Sequence, residues 1–160
     1  MKRRAWLVVS SLGVGGWLSG CATRPPRSTT STRWAGRLSL TVVSEPAQSF
    51  SAEFDLQGNA SAGELMLYGP LGGTLARITW NPSHAELHSG SVQTFASLDA
   101  LTQTLTGTAL PVAALFDWLQ GQATPAAGWQ ADLSRLPEGR LSAQRHNPAP
   151  SADLRLILER

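Results

Sequence analysis

Residues 34–42 read WAGRLSLTV and residues 50–57 read FSAEFDLQ, two stretches in which apolar and polar side chains alternate. Successive side chains of a β-strand point to opposite faces, so Trp34, Gly36, Leu38, Leu40 and Val42 share one face of a first strand. Phe50, Ala52, Phe54 and Leu56 share the same face of a second. The opposite faces carry Arg37, Ser39 and Thr41, then Ser51, Glu53, Asp55 and Gln57. One side of this sheet therefore meets water, as antiparallel sheets allow.

Turn residues punctuate the next stretch of chain. Gly58-Asn59 and Ser61 to Gly63 separate the second strand from a third over Glu64 to Tyr68, and Asn81-Pro82 and Ser89-Gly90 divide the next pieces into a meander. The period then changes. Leu98, Leu101 and Leu105 recur at helical spacing behind Ser97, a good N-cap, and stop before Gly107. A second helix is predicted with Pro111 in its first turn, an apolar stripe of Val112, Leu115, Phe116 and Leu119, and Gly121 as its C-terminal stop. Alternation resumes at Trp129, Ala131 and Leu133, at Leu141 and Ala143, and at Leu154, Leu156 and Leu158, divided by Pro137-Glu138-Gly139 and by Pro148 to Pro150.

The predicted class is mostly β with two helices: a curved antiparallel sheet whose apolar face is partly covered by those helices. Periodicity alone leaves two interiors open, a filled sheet-on-helix core and a half-closed barrel around a hole. Close packing is the norm inside proteins, which favours the filled one.

Upstream of the domain, Lys2, Arg3 and Arg4 precede an apolar or small stretch over residues 5–18, the layout of a secretory signal. The run is shorter than the ~20 residues a membrane span needs. It ends at Leu18-Ser19-Gly20, directly before Cys21, the one cysteine of the 160-residue chain, and this tetrapeptide resembles a lipobox. The resemblance implies lipid transfer to the Cys21 thiol, cleavage before it, and acylation of the new amine. Ala22 in second position implies delivery to the outer membrane rather than retention at the inner one. One cysteine cannot form an internal disulfide, so stability rests on the core.

The expected organisation is a signal peptide over residues 1–20, a lipidated Cys21 with a flexible tether to residue 33, and a domain over residues 34–160. The tether is rich in Thr, Ser, Pro and Arg and has no apolar period. Its twelve residues after Cys21 reach roughly 40 Å at ~3.3–3.6 Å each. Removing the signal takes away three of thirteen basic residues and leaves ten arginines against eleven acids. The mature chain is near neutral, without the basic patch that nucleic-acid binding requires.

Three segments carry a family resemblance: Trp34-Ala35-Gly36-Arg37-Leu38, then Leu65-Met66-Leu67-Tyr68-Gly69-Pro70-Leu71-Gly72, then Leu110-Pro111 through Trp118-Leu119-Gln120-Gly121. In this order, behind a lipobox, they resemble the LolB family. The resemblance implies an incompletely closed barrel, a half-barrel, covering helices around an apolar cavity. It also implies an outer-membrane lipoprotein that receives other lipoproteins from the periplasmic carrier LolA and inserts them into the membrane's inner leaflet. The C-terminal region departs from the family pattern: residues 128–160 offer three short strands and a Pro-rich loop, which predicts a smaller or more open barrel.

Acyl chains of a cargo lipoprotein need a dry concave surface, since each exposed methylene costs roughly 0.8 kcal/mol. Leu38, Leu40, Phe50, Phe54, Leu65 and Leu67 on the strands, with Leu115 and Trp118 on the second helix, are expected to line it. Each has the composition of a plain core residue, and Trp118 suits a helix-on-sheet anchor better than a ligand contact. Pro70, Leu71 and Gly72 read as a tight turn whose leucine is exposed, and the resemblance links Leu71 to pushing cargo into outer-membrane lipid.

His84, Glu86 and His88 share a parity, but at ~3.3 Å per residue the two histidines stand about 13 Å apart on an extended strand, too far to share a metal ion. A nucleophile elbow, a P-loop and a zinc-protease motif are all missing from the sequence, so no enzyme, cofactor or metal is expected. The rival to a transfer receptor is a passive scaffold lipoprotein. With no oligomerisation signal, a monomer is the default.

Overall fold

The computed structural model describes residues 32–159. Six strands come first, β1 (Thr32–Val43), β2 (Gln48–Gly58), β3 (Gly63–Tyr68), β4 (Thr74–Trp80), β5 (Ala85–Ser89) and β6 (Ser91–Phe95). Two helices come next, α1 (Leu98–Thr106) and α2 (Val112–Leu119), and then β7 (Trp129–Asp132), β8 (Arg140–Arg145) and β9 (Ser151–Leu158). All nine strands form one antiparallel sheet in the order β6-β5-β4-β3-β2-β1-β9-β8-β7. The sheet does not close, because β6 and β7 at its two edges are not paired to each other. Both helices lie in the connection between those edge strands, so the chain crosses the apolar face on its way from one edge to the other.

Register explains which face is which. Leu40 pairs with Phe50 on one side and Leu154 on the other, and Leu38 pairs with Ala52 and Leu156, so apolar rows run across β2, β1 and β9. The water-facing side is laced with cross-strand ion pairs: both oxygens of Asp55 hold the Arg33 guanidinium, Arg77 Nε donates to Glu64 Oε2 at 2.6 Å, and Arg37 approaches Glu53 at 3.5 Å. Exposed pairs of this kind contribute only ~0–1 kcal/mol each. The fold is held by the buried face.

Gly36 marks where β1 and β9 come closest. It lies at φ 155°, and a Cβ built on it would stand 2.0 Å from the Ile157 carbonyl oxygen. A glycine in a strand interior permits this approach and the bend of the sheet that goes with it.

α1 begins as its sequence dictates: Ser97 Oγ accepts from the Ala100 N–H at 3.1 Å, and Gly107, in the left-handed region, returns its N–H to Gln103 O. α2 differs slightly from expectation. Pro111 stands at the N-cap rather than inside the first turn, with Val112 as first helical residue. Pro111 has no N–H to satisfy in either place, so the shift is nearly free.

β1 runs from Thr32, the first described residue. Thr32 and Arg33 extend β1, paired with Gly58 and Gln57, because the ion pair to Asp55 fixes Arg33 against β2. The signal peptide, Cys21 and the tether up to residue 31 lie outside the described residues. At the C-terminal end β9 is longer than a short strand, eight residues inserted between β1 and β8, so this region supplies part of the sheet's centre. No helix among the described residues is long and apolar enough to cross a membrane.

Candidate functional site

Between the sheet and the helices lies a cavity of about 680 Å³. The interior is hollow, in contrast to the close-packed core that periodicity alone favours, and the reason lies with an aromatic residue in the middle of α2. Phe116 is wedged between two tryptophans, Trp34 at 5.5 Å with rings at 63° and Trp80 at 6.2 Å with rings at 55°. Trp34 sits near the start of β1 and Trp80 at the end of β4, so this aromatic cluster closes one end of the half-barrel. Large side chains gathered there leave the space beyond them lined by leucines that do not meet across it.

The opposite end is open. Lining residues Phe50, Leu75 and Leu105 are 39%, 46% and 44% exposed, whereas Leu56, Ile78 and Trp80 deeper in are buried. Strands β1 and β2 provide Leu38, Leu40, Val42, Phe54 and Leu56, β3 provides Leu65 and Leu67, and β9 provides Leu154 and Leu156. The helices roof it with Leu98 and Leu101 from α1 and Leu115 from α2.

No lining side chain carries a charge. The two threonines facing in from α1 are already occupied by backbone: Thr102 Oγ1 donates to Asp99 O and accepts from the Leu110 N–H, while the single hydroxyl proton of Thr106 has Thr102 O and Thr108 O as its acceptors. Gln48, Ser49 and Ser89 are the other polar lining residues, and the rest of the wall is hydrocarbon, the property that suits a cavity to an apolar guest.

Of the residues expected at the lining, Leu38, Leu40, Phe54, Leu65, Leu67 and Leu115 face the cavity, and Phe50 lies at its mouth. Trp118 does not face it. It is 1% exposed, and its indole N–H donates to Thr124 O at 2.8 Å, so it pins α2 to the loop behind it. Sequence reading left out Ala76, Ile78 and Trp80 on β4, which alternate as plainly as those on β2. It also left out Leu75, for which no pattern exists. The β3–β4 register shifts between Leu67 and Tyr68, and beyond that bulge parity no longer assigns a face.

At the same end as the mouth, the β3–β4 turn projects Leu71. Gly72 N donates to Gly69 O and Gly69 N to Gly73 O, both at 2.9 Å, which puts Pro70 and Leu71 at the tip with Gly72 at φ 77°. Leu71 is 101% exposed, the most exposed large apolar side chain among the described residues.

Arg33, Asp132 and Arg155 lie on the outer surface, whereas Arg145 shares ladder rows with buried Trp129 and Ala152 and has its Nε buried. Hydrogen bonds from the guanidinium of Arg33 to Asp55, and from that of Arg155 to Asp153, raise the pKa of each arginine further. Hydrogen bonds from Ser134 hold the Asp132 carboxyl below its usual range. The rings of His84 and His88 come nearer each other than an extended strand predicts, because His84 belongs to the turn before β5, and both reach Glu86, at 3.5 and 3.3 Å. Among the described residues, no group of three His, Cys, Asp or Glu side chains is arranged to hold a metal.

The sequence of this chain has counterparts among known proteins. Residues 31–149 match the family model described as outer membrane lipoprotein LolB, a match that ends just before β9. A protein named outer-membrane lipoprotein LolB from Bordetella petrii is 31% identical, over 97% of this chain and 92% of that one. Another of that name, from Cupriavidus taiwanensis, is 32% identical over 92% of this chain and 76% of its own length, and one from an Azoarcus species is 26% identical over 98% and 95%. With the family match spanning β1 to β8, both helices and the Leu71 turn, the chain belongs to the outer membrane lipoprotein LolB family.

Proposed function

We propose that this chain, anchored by lipid on Cys21 to the periplasmic face of the outer membrane, receives other lipoproteins from a LolA-like carrier. It takes their acyl chains into the cavity and releases them into the membrane, as a monomer and without catalysis, cofactor or metal. The observation that carries this reading is the uncharged cavity of about 680 Å³, open at one end. Each methylene moved from water into it gains roughly 0.8 kcal/mol, so even a partly inserted chain is held by several kcal/mol. Leu38, Leu40, Phe54, Leu65, Leu67 and Leu115 form the acyl-binding wall, Phe50 guides entry at the mouth, and Leu71 with Pro70 and Gly72 forms the membrane-inserting turn. Leu71 has no protein neighbour to lose on entering lipid, since it is fully exposed.

Mixing the purified chain with lipoprotein-loaded carrier and following the cargo tests this reading. A receptor strips cargo from the carrier in a one-to-one ratio and then passes it to liposomes. Cargo that stays on the carrier at every ratio refutes the proposal and leaves a passive scaffold lipoprotein.

A further inference from the structure

Leu71 is not the only apolar group at the mouth end. Val92, next to the β5–β6 turn, is 60% exposed, and Leu75, just past the β3–β4 turn, is 46% exposed. Leu75 leans over the base of its own turn, its Cδ2 standing 3.3 Å from where a Gly69 Cβ would be. On its other side, Leu75 shares an open cleft of about 320 Å³ with Thr74, His88, Ser89, Gly90 and Val92. Leu75 and Ser89 also line the main cavity, so the cleft and the cavity meet at these two residues. Two neighbouring hairpin turns thus make one lip beside the mouth, with Leu75 and Val92 as its apolar side chains, Thr74, Ser89 and Ser91 between them, and His88, paired with Val92 across the ladder, on its outer side.

The composition of this lip says what covers it. Neither residues 69–75 nor residues 89–94 contain a charged side chain. Protein partners are usually met by a rim of charged and hydrogen-bonding groups. An uncharged lip a few side chains wide, continuous with an acyl-sized hollow, matches instead the boundary between headgroups and hydrocarbon, where apolar faces bury ~5–10 Å deep.

We propose that the Leu75–Val92 lip is a second membrane-docking element. Together with Leu71 it seats the cavity mouth directly on the bilayer, and cargo chains pass from cavity to lipid without crossing water. This rests on the transfer reading and adds to it the β5–β6 turn.

The test uses the full lipidated chain, in which acylation of Cys21 leaves an introduced cysteine as the sole free thiol. Val92→Cys, Leu71→Cys and Ile157→Cys are each labelled with an environment-sensitive fluorophore on vesicles of phosphatidylethanolamine and phosphatidylglycerol containing a shallow lipid quencher. Ile157 is 54% exposed on β9, paired with Arg37 and Arg140, and serves as the water-facing control. Probes at 71 and 92 are expected to blue-shift and be quenched, and the probe at 157 to do neither. If position 71 is quenched and 92 behaves like 157, the lip is overturned and the transfer reading stands. If all three stay in water, both fall. A probe at 92 shielded only after carrier is added marks a protein-docking surface and overturns the lipid assignment. Val92→Glu should slow cargo transfer to these vesicles about tenfold with uptake from the carrier unchanged, and an unaltered rate would also overturn the proposal.

Discussion

Replacing Phe116 by alanine removes the wedge that closes one end of the half-barrel. Phe116 is 3% exposed and touches both Trp34 and Trp80, so the substitution deletes a buried ring and its two aromatic contacts together. Buried Phe→Ala changes cost about 3–5 kcal/mol, and the edge-on ring contacts place this one toward the upper half of that range. For a domain this size each kcal/mol lowers Tm by ~3–5 °C, giving a fall of ~12–25 °C in a thermal melt followed by circular dichroism. Phe116→Leu keeps most of the volume and should recover the greater part of that loss. A melt within ~3 °C of wild type for the alanine variant, or a leucine variant as unstable as the alanine one, would refute the idea that this ring closes the cavity's end.

Other outcomes rest on single features. Leu71→Glu should leave Tm and cargo uptake unchanged while lowering delivery into liposomes by ~10–100-fold, since a leucine side chain is worth ~1.5–3 kcal/mol when buried. Gly36→Ala forces a methyl onto the Ile157 carbonyl at a positive φ, and should cost the fold more than ~3 kcal/mol by urea titration. Ser97→Ala removes the α1 cap and should cost ~1 kcal/mol in the same titration. Asp132 has a folded pKa below its unfolded one, so its contribution is present above the unfolded value and is lost as pH falls through the folded one. Asp132→Asn should accordingly flatten the loss of stability on acidification below about pH 4, seen as a shallower drop in urea midpoint.

The sheet was legible because its two longest strands write their faces in strict alternation, and the pairing of Leu38 with Ala52 and Leu156 accords with that parity. Local chemistry also announced itself: Ser97 caps α1, and the Gly69–Gly73 segment turns and exposes Leu71. What sequence does not carry is where a helix sits on a sheet. Leu115 and Trp118 lie three residues apart on α2, yet one faces the hollow and the other is buried behind it. The hollow itself depends on Phe116 meeting Trp34 and Trp80, residues distant along the chain that no periodicity links. At the mouth, a single bulge hid Leu75, and at the other end a turn rather than a strand brought His84 to the same carboxylate as His88.

Because β6 and β7 never pair, the width of this molecule is not fixed the way a sealed tube's is by strand number and shear. A gutter under a two-helix cover obeys a looser rule: the cover can lift or slide without breaking one ladder hydrogen bond. Guests of different girth therefore cost the protein side-chain contacts between cover and gutter at the mouth, while Phe116 holds the far end of the cover between Trp34 and Trp80.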